Sequence, residues 1–198
     1  MNVVIILLSL KFLLFNCVAD KVTDFIPIKA VEISESSNVK ILDLELEILL
    51  EDEIKLPENF VITLTESDIE ALPYIAKVVD GECGSGTLTE QAAVIWCILN
   101  RVDSDIRYIP DDIISVITQE GQFAGYDAAR PVREDLLALG WDVLLRWRLE
   151  KIGIENVGRI LPKDYCWFHG DGYYNYYRNT FEGNNTIWDW SLKSPYNN

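Results

Sequence analysis

Three groups of residues carry the chemical possibilities of this chain. Glu82 closes the apolar run Tyr74 to Val79 and is followed by the glycine-rich turn Cys83-Gly84-Ser85-Gly86. If that run is a helix, the carboxylate faces the negative end of the macrodipole with Val78 and Val79 beside it. Both effects disfavour the charged form, which is how a general acid is made. Cys83 and the only histidine, His169, form a second pair, in the chain order that Cys/His peptidases and amidases show. A reactive thiolate needs a helix N-terminus or an imidazolium to lower its pKa. Thr87-Leu88-Thr89 caps the next helix well after Cys83, so the thiol does not sit at that N-terminus, and the spacing argues against this pair. The third group is aromatic: Trp167, Phe168, Tyr173, Tyr174, Tyr176 and Tyr177, with Gln122-Phe123 in an earlier loop. Aromatic faces suit sugar rings and an amide suits an N-acetyl group. On a strand, however, only one of the two alternating sets can face a ligand while the other packs inward. Equally, Gln122 and Phe123 could simply pin the third helix to the core, and a lone histidine among aromatics is more often structural than catalytic.

Helix signals surround these groups. Ser67-Asp-Ile-Glu70 reads as a capping box opening a helix that runs to Glu82, with Pro73 just past its first turn as a site for a kink or a late start. Thr87-Leu-Thr-Glu90 is a second box, ahead of a helix whose Ala92, Ala93, Ile95, Trp96, Leu99 and Val102 make a wide apolar face. A third helix is expected from Pro110, with Asp111 and Asp112 in its first turn, ending by Gly121. A long fourth is expected from Pro131 to Lys151, breakable at Gly140, with Arg146, Arg148 and Glu150 on its solvated side. The segment 161–178 changes to an aromatic, glycine-punctuated pattern and predicts a short hairpin with Asp171-Gly172 in its turn. The tail from Phe181, with Trp188 and Trp190, is expected to pack back on the domain.

Taken together, Glu82, Gln91, Ala93-Val94, Leu99-Asn100-Arg101-Val102 and Gly121-Gln122-Phe123 resemble the cell wall hydrolase family typified by the SleB spore cortex-lytic enzymes. The hairpin pattern through Asn175-Tyr176-Tyr177-Arg178 is similar to the C-terminal segment of one branch of that family. The resemblance implies an α+β, lysozyme-like fold: a mainly helical lobe, a small antiparallel hairpin or sheet, and Glu82 as catalytic acid at the cleft between them. It implies as substrate the β-1,4 bond between N-acetylmuramic acid and N-acetylglucosamine, and Gln91, Gln122, Phe123, Trp167, His169, Tyr174 and Tyr176 as substrate-binding candidates. The chain departs from the family at Cys83, where alanine is usual, and at Ser85 and Gly86, where the family has glycine and a second acid. The first acid is present and the second is not. Asp80, Asp103, Asp105, Glu120 and Asp171 are the other carboxylates considered, and none lies in a motif that would place it. Lytic transglycosylation, which needs one acid acting first as donor and then as base, is therefore preferred over hydrolysis with two.

Domain organisation follows from composition. Residues 1–19 read as a signal peptide of ordinary length with a weak basic start. An uncleaved anchor is the second reading, and a lipid-modified Cys17 a distant third because Phe15 and Asn16 are bulky. Residues 20–66 form an acidic extension in which Leu42 to Leu50 alternates as a strand and Ile54-Lys-Leu56 with Phe60 to Leu64 could pair as a hairpin. Residues 67–198 are the expected catalytic domain. A net charge of −15 in 198 residues argues against nucleic acid and against electrostatic retention on anionic wall polymers. An exported monomer acting on peptidoglycan glycan strands is expected, touching a membrane only through an uncleaved N-terminal segment, with no metal and no cofactor. Without the segment 1–19, three cysteines remain, so at most one bridge can form; Cys83 to Cys166 is the pairing that would tie the acid-bearing turn to the hairpin, with Cys97 buried and free. The alternatives are a Cys83/His169 cell wall peptidase or amidase, and a glycan-binding module without catalysis.

Overall fold

The computed structural model describes residues 31–33, 39–41, 62–182 and 186–196. The expected signal segment, the Leu42 to Leu50 strand and most of the second extension hairpin lie outside them. The chain divides into two units, Met1–Thr63 and Leu64–Asn198. In the first, β1 (Val31–Ile33) and β2 (Val39–Ile41) pair antiparallel with Glu32 opposite Lys40, a short ribbon the sequence pattern did not single out. No helix among the described residues is long and apolar enough to cross a membrane.

The second unit is α+β, with four helices followed by a two-stranded antiparallel sheet. Helix α1 (Glu66–Cys83) starts from Thr65, two residues earlier than the expected box. The reciprocal bonds run between Thr65 and Asp68, because Asp68 Oδ2 reaches the Thr65 N–H at 2.9 Å and leaves Ser67 inside the first turn. The helix continues through Pro73, which is exposed, so the missing N–H falls on the solvent side. Helix α2 (Leu88–Val102) has the expected Thr87–Glu90 box, and every residue from Gln91 to Arg101 is buried. A helix covered on all sides is the centre of a core. Helix α3 is shorter than expected, Ile113–Thr118, because Asp112 rather than Pro110 provides the start: its carboxylate accepts from the Ser115 N–H at 2.8 Å.

Helix α4 (Glu134–Lys151) is unbroken at Gly140. The glycine is there for packing: a Cβ would lie 3.2 Å from Ile75 Cγ2 and 3.4 Å from Leu72 Cδ2, so α4 and α1 approach closely at this point. The expected solvated side of α4 is a correction. Arg146 is buried, donating to Asp142 and to the Val157 carbonyl, while Arg148 reaches across to the buried Asp68 with both Nε (2.9 Å) and Nη2 (2.7 Å). The buried members, Asp68 and Arg146, are each paired with an opposite charge, which is what lets them leave water.

Strands β3 (Trp167–Gly170) and β4 (Asn175–Arg178) pair with Phe168 opposite Tyr177 and His169 opposite Tyr176, and Asp171-Gly172 lies in the turn as expected. The tail packs back: Ile187 bridges Arg178, the Trp188 N–H donates to the Tyr177 carbonyl at 2.8 Å, and Trp190 meets the Tyr177 ring edge-on.

Candidate active site

Glu82 stands in the last turn of α1, half-exposed, with the residues three and four positions before it, Val79 and Val78, fully buried. Its Oε1 accepts a hydrogen bond from the backbone N–H of Gly125 at 2.7 Å. That donor is available because the two backbones cross at glycines. A Cβ on Gly81 would lie 1.8 Å from the Gly125 carbonyl oxygen, and one on Gly125 would lie 2.4 Å from the Gly81 carbonyl carbon. Only glycine at both positions permits that approach. From the other side, Asn175 on β4 donates to the Glu82 carbonyl at 3.3 Å. The end of α1, the loop through Gly125 and the hairpin therefore meet at one residue, the loop on its carboxylate and the hairpin on its backbone carbonyl.

The remaining residues of the sequence pattern explain the convergence. Gln91 is 4 % exposed, and its Nε2 donates to the carbonyls of Cys83 and Gly84, both at 3.3 Å. It holds the turn after Glu82 from beneath. Asn100 donates to the carbonyls of Pro162 (2.7 Å) and Tyr165 (2.9 Å), and Arg101 Nε to that of Cys166 (2.6 Å), so two neighbours on α2 carry the chain into β3. Arg101 also donates to Gln122 Oε1 at 3.1 Å and lies over the Phe123 ring at 4.6 Å. Phe123 is 6 % exposed and packs near Phe168. Gln122 and Phe123 thus pin their loop to the core, the second of the two roles open to them, and Phe123 presents almost no ring face to solvent.

On the hairpin the alternating aromatics separate as strand geometry requires. Phe168 and Tyr177 face inward, with Tyr177 fully buried and its hydroxyl directed to the Glu90 carbonyl at 3.3 Å. Trp167, His169 and Tyr176 share the outer face, where the His169 and Tyr176 rings stack at 5.2 Å. Tyr174 lies beyond the strand, 63 % exposed, its N–H donating to Asp171. Asp171 is a turn residue that accepts from the N–H groups of Tyr173 and Tyr174 and from the Tyr176 hydroxyl. The hairpin side chain bonded to the Glu82 backbone is Asn175, on the inner face, which the sequence placed in the hairpin pattern without giving it a role.

Cys83 is free, as are Cys97 and Cys166, so the expected Cys83 to Cys166 bridge does not form and the described residues hold three thiols. Burial pushes the Cys83 thiol up to about 11, reinforced by the charges of Glu90 and Glu82 and opposed only by the Gly86 N–H. At neutral pH it is a thiol, the wrong form for a nucleophile. His169, exposed and stacked on Tyr176, supplies no hydrogen bond to correct this.

Three of the other carboxylates are engaged elsewhere. Asp80 binds Arg130 and Arg133, each at 2.9 Å; burial alone would raise its pKa, but the two guanidiniums outweigh burial and hold it low. Asp103 binds Trp147 Nε1 and Lys151, and Asp171 closes the hairpin turn. Glu90, not considered from the sequence, is occupied through Oε2 by the Thr87 N–H and hydroxyl. Among the described residues, no group of three or more His, Cys, Asp or Glu is placed to hold a metal ion. The missed residues had one legible signal: Gly81 is a glycine inside a helix, at a propensity penalty of about 1 kcal/mol, which usually marks a close packing contact. No family model, no curated protein and no solved structure matches the chain.

Proposed function

We propose that this is an exported peptidoglycan lytic enzyme of the SleB-like cell wall hydrolase kind, with a lysozyme-like catalytic unit and Glu82 as its single acid and base. The observation that carries the reading is the Glu82 carboxylate itself, half-exposed at the end of a buried helix, with one oxygen held by the Gly125 N–H and the other without a hydrogen bond among the described residues. A carboxyl so held is oriented before substrate arrives, and orientation is what a general acid needs first. The substrate is the β-1,4 bond on the muramic acid side of a glycan strand. Glu82 passes its proton to the glycosidic oxygen as the C1–O bond breaks. The resulting carboxylate takes the proton of the muramic 6-hydroxyl as O6 bonds to C1, which restores the acid and leaves a 1,6-anhydro end. With Asp80, Asp103 and Asp171 engaged in ion pairs or turn bonds, this one-carboxylate route is favoured over hydrolysis with two. Trp167, His169 and Tyr176 on the outer hairpin face and Tyr174 at its tip are the stacking candidates for the strand.

The test is mass spectrometry of muropeptides released from purified peptidoglycan by the wild type, Glu82→Gln and Cys83→Ser. Glu82→Gln keeps an Oε1 acceptor for Gly125 and removes only the proton. Anhydro-muropeptides from wild type and Cys83→Ser, absent with Glu82→Gln, are expected. Reducing muramic ends would replace transglycosylation with hydrolysis. Cut peptides that vanish with Cys83→Ser would assign the activity to the thiol, and strand binding without any product would make the chain a glycan-binding module.

A further inference from the structure

One segment runs along a single face of α1 and ends at Glu82. The Tyr126 ring stacks on Tyr74 at 6.1 Å and 13°, Lys77 Nζ donates to the Ala128 carbonyl at 2.6 Å, and Gly125 crosses Gly81 backbone to backbone. Tyr74, Lys77 and Gly81 stand at i, i+3 and i+7, one stripe of a helix. The segment is then fastened by charge: Arg130 Nη1 donates to Asp80 Oδ2 and Arg133 Nη1 to Asp80 Oδ1, both at 2.9 Å, while the same Arg133 nitrogen reaches the Gly84 carbonyl at 2.8 Å. Arg133 is anchored in turn by Asp135, through Nε at 3.1 Å and Nη2 at 2.6 Å. Asp80 is thus the only carboxylate among the described residues that joins α1 to both arginines, and its ion pairs on one side of Glu82 and the Arg133–Gly84 bond on the other flank that residue in sequence.

We propose that Asp80 is a positioning residue for Glu82: through Arg130 and Arg133 it holds the 123–133 segment against α1, so that the Gly125 N–H stays on Glu82 Oε1 and Oε2 is the oxygen that gives and takes the proton. The proton's location follows from bonding. The carbonyl oxygen of a carboxylic acid is a better acceptor than its hydroxyl oxygen, so the Gly125 N–H favours the acid form in which Oε1 is the carbonyl oxygen and Oε2 carries the hydrogen. The inference rests on the acid role of Glu82, but the clamp itself is a matter of geometry and can be tested without catalysis. The ionisable groups around Glu82 are Asp80, Arg130 and Arg133 on the clamp side, Cys83 and Glu90 across the turn, and the Tyr177 phenol from the hairpin. Of these, only the clamp residues lie on the segment that provides the Gly125 donor or bond to it directly.

The experiment uses the full chain, isotopically labelled, and follows the Gly125 amide resonance and the Glu82 side-chain carboxyl carbon across pH. In wild type the two should move together; in Glu82→Gln the amide should stop responding. Asp80→Asn, of the same shape, should uncouple them and raise Gly125 amide exchange about tenfold, as expected on losing charge-assisted bonds, while α2 amides keep their protection. Arg130→Gln should act in the same direction. On a glycan substrate Asp80→Asn should lower kcat about tenfold with KM unchanged, while the retained α2 protection shows that the loss does not come from a smaller folded fraction. A Gly125 amide indifferent to Glu82 ionisation in wild type, unaltered coupling in both clamp variants, or an equal loss of protection throughout α2 would each overturn the proposal. Intact coupling in a protein that cleaves no glycan would sink the acid reading of Glu82 and leave the clamp standing.

Discussion

Replacing Gly81 with alanine sets local preference against tertiary packing, and the two predict opposite signs. Gly81 is inside α1, where alanine is favoured over glycine by about 1 kcal/mol, so propensity alone predicts a more stable protein. The added Cβ, however, would lie 1.8 Å from the Gly125 carbonyl oxygen. A tolerable C···O contact is about 3.3 Å, so the crossing must open by roughly 1.5 Å. The Gly125 N–H now sits 2.7 Å from Glu82 Oε1, and an opening of that size takes it past the ~3.2 Å limit of a hydrogen bond. Overpacking costs about 1–3 kcal/mol and the lost bond to a partly exposed carboxylate about 1 kcal/mol more. Set against the helix gain, the net loss is about 2 kcal/mol, or roughly 6 °C in Tm for a unit of this size. Thermal unfolding followed by circular dichroism measures the stability, and release of soluble muropeptides measures the proposed activity, expected to fall at least tenfold as Glu82 loses its fixed oxygen. A Gly81→Ala protein that melts higher than wild type and cleaves normally would refute the reasoning, because the backbone crossing could then not be what holds the carboxylate.

Other consequences concern stability and thiols. Asp68→Asn should destabilise by about 3 kcal/mol at neutral pH, since it removes the charge that both caps α1 and pairs with Arg148, and denaturant unfolding should show it. Burial would raise the Asp68 pKa, but Arg148 and the Thr65 N–H and hydroxyl hold it below the usual carboxylate value. Its contribution is therefore complete above the unfolded value of about 4 and lost as pH falls through the folded one, so the gap between wild type and variant should close in acid. Native protein should show three slowly alkylated thiols among Cys83, Cys97 and Cys166 at pH 7.5, all becoming fast in denaturant, because burial pushes them up to about 11, 12 and 11 respectively; rapid native labelling of Cys83 would contradict this. Gly140→Val should destabilise by about 2 kcal/mol by forcing α4 away from Leu72 and Ile75, and an unchanged Tm would mean that the helices do not meet there.

Elements whose signals are local were legible in the sequence. The Thr87–Glu90 box and the hairpin around Asp171-Gly172 rest on bonds between residues close in sequence, and the apolar face of α2 on a helical spacing of residue types, so types and spacing suffice to place them. Where two local readings competed, tertiary partners decided. Thr65–Asp68 rather than Ser67–Glu70 caps α1, since Asp68 also answers Arg148 from eighty residues away. Arg146 and Arg148 look like a solvated stripe by composition and are drawn inward by Val157 and Asp68. The sequence alone drew attention to Glu82, Gln91 and Asn100-Arg101 as a pattern, yet assigned none of them a partner. The structure makes Gln91 a support for the turn, Asn100 and Arg101 the anchors of the strand-bearing segment, and Glu82 a residue whose carboxylate is held by the Gly125 N–H and whose backbone carbonyl is held by Asn175. Those bonds run to backbone groups, and a backbone N–H or carbonyl is the same for every residue type, so it leaves no trace in the sequence. Glycine is the exception because its identity is the space it leaves, and Gly81 and Gly125 became readable only when their two backbones were seen to cross.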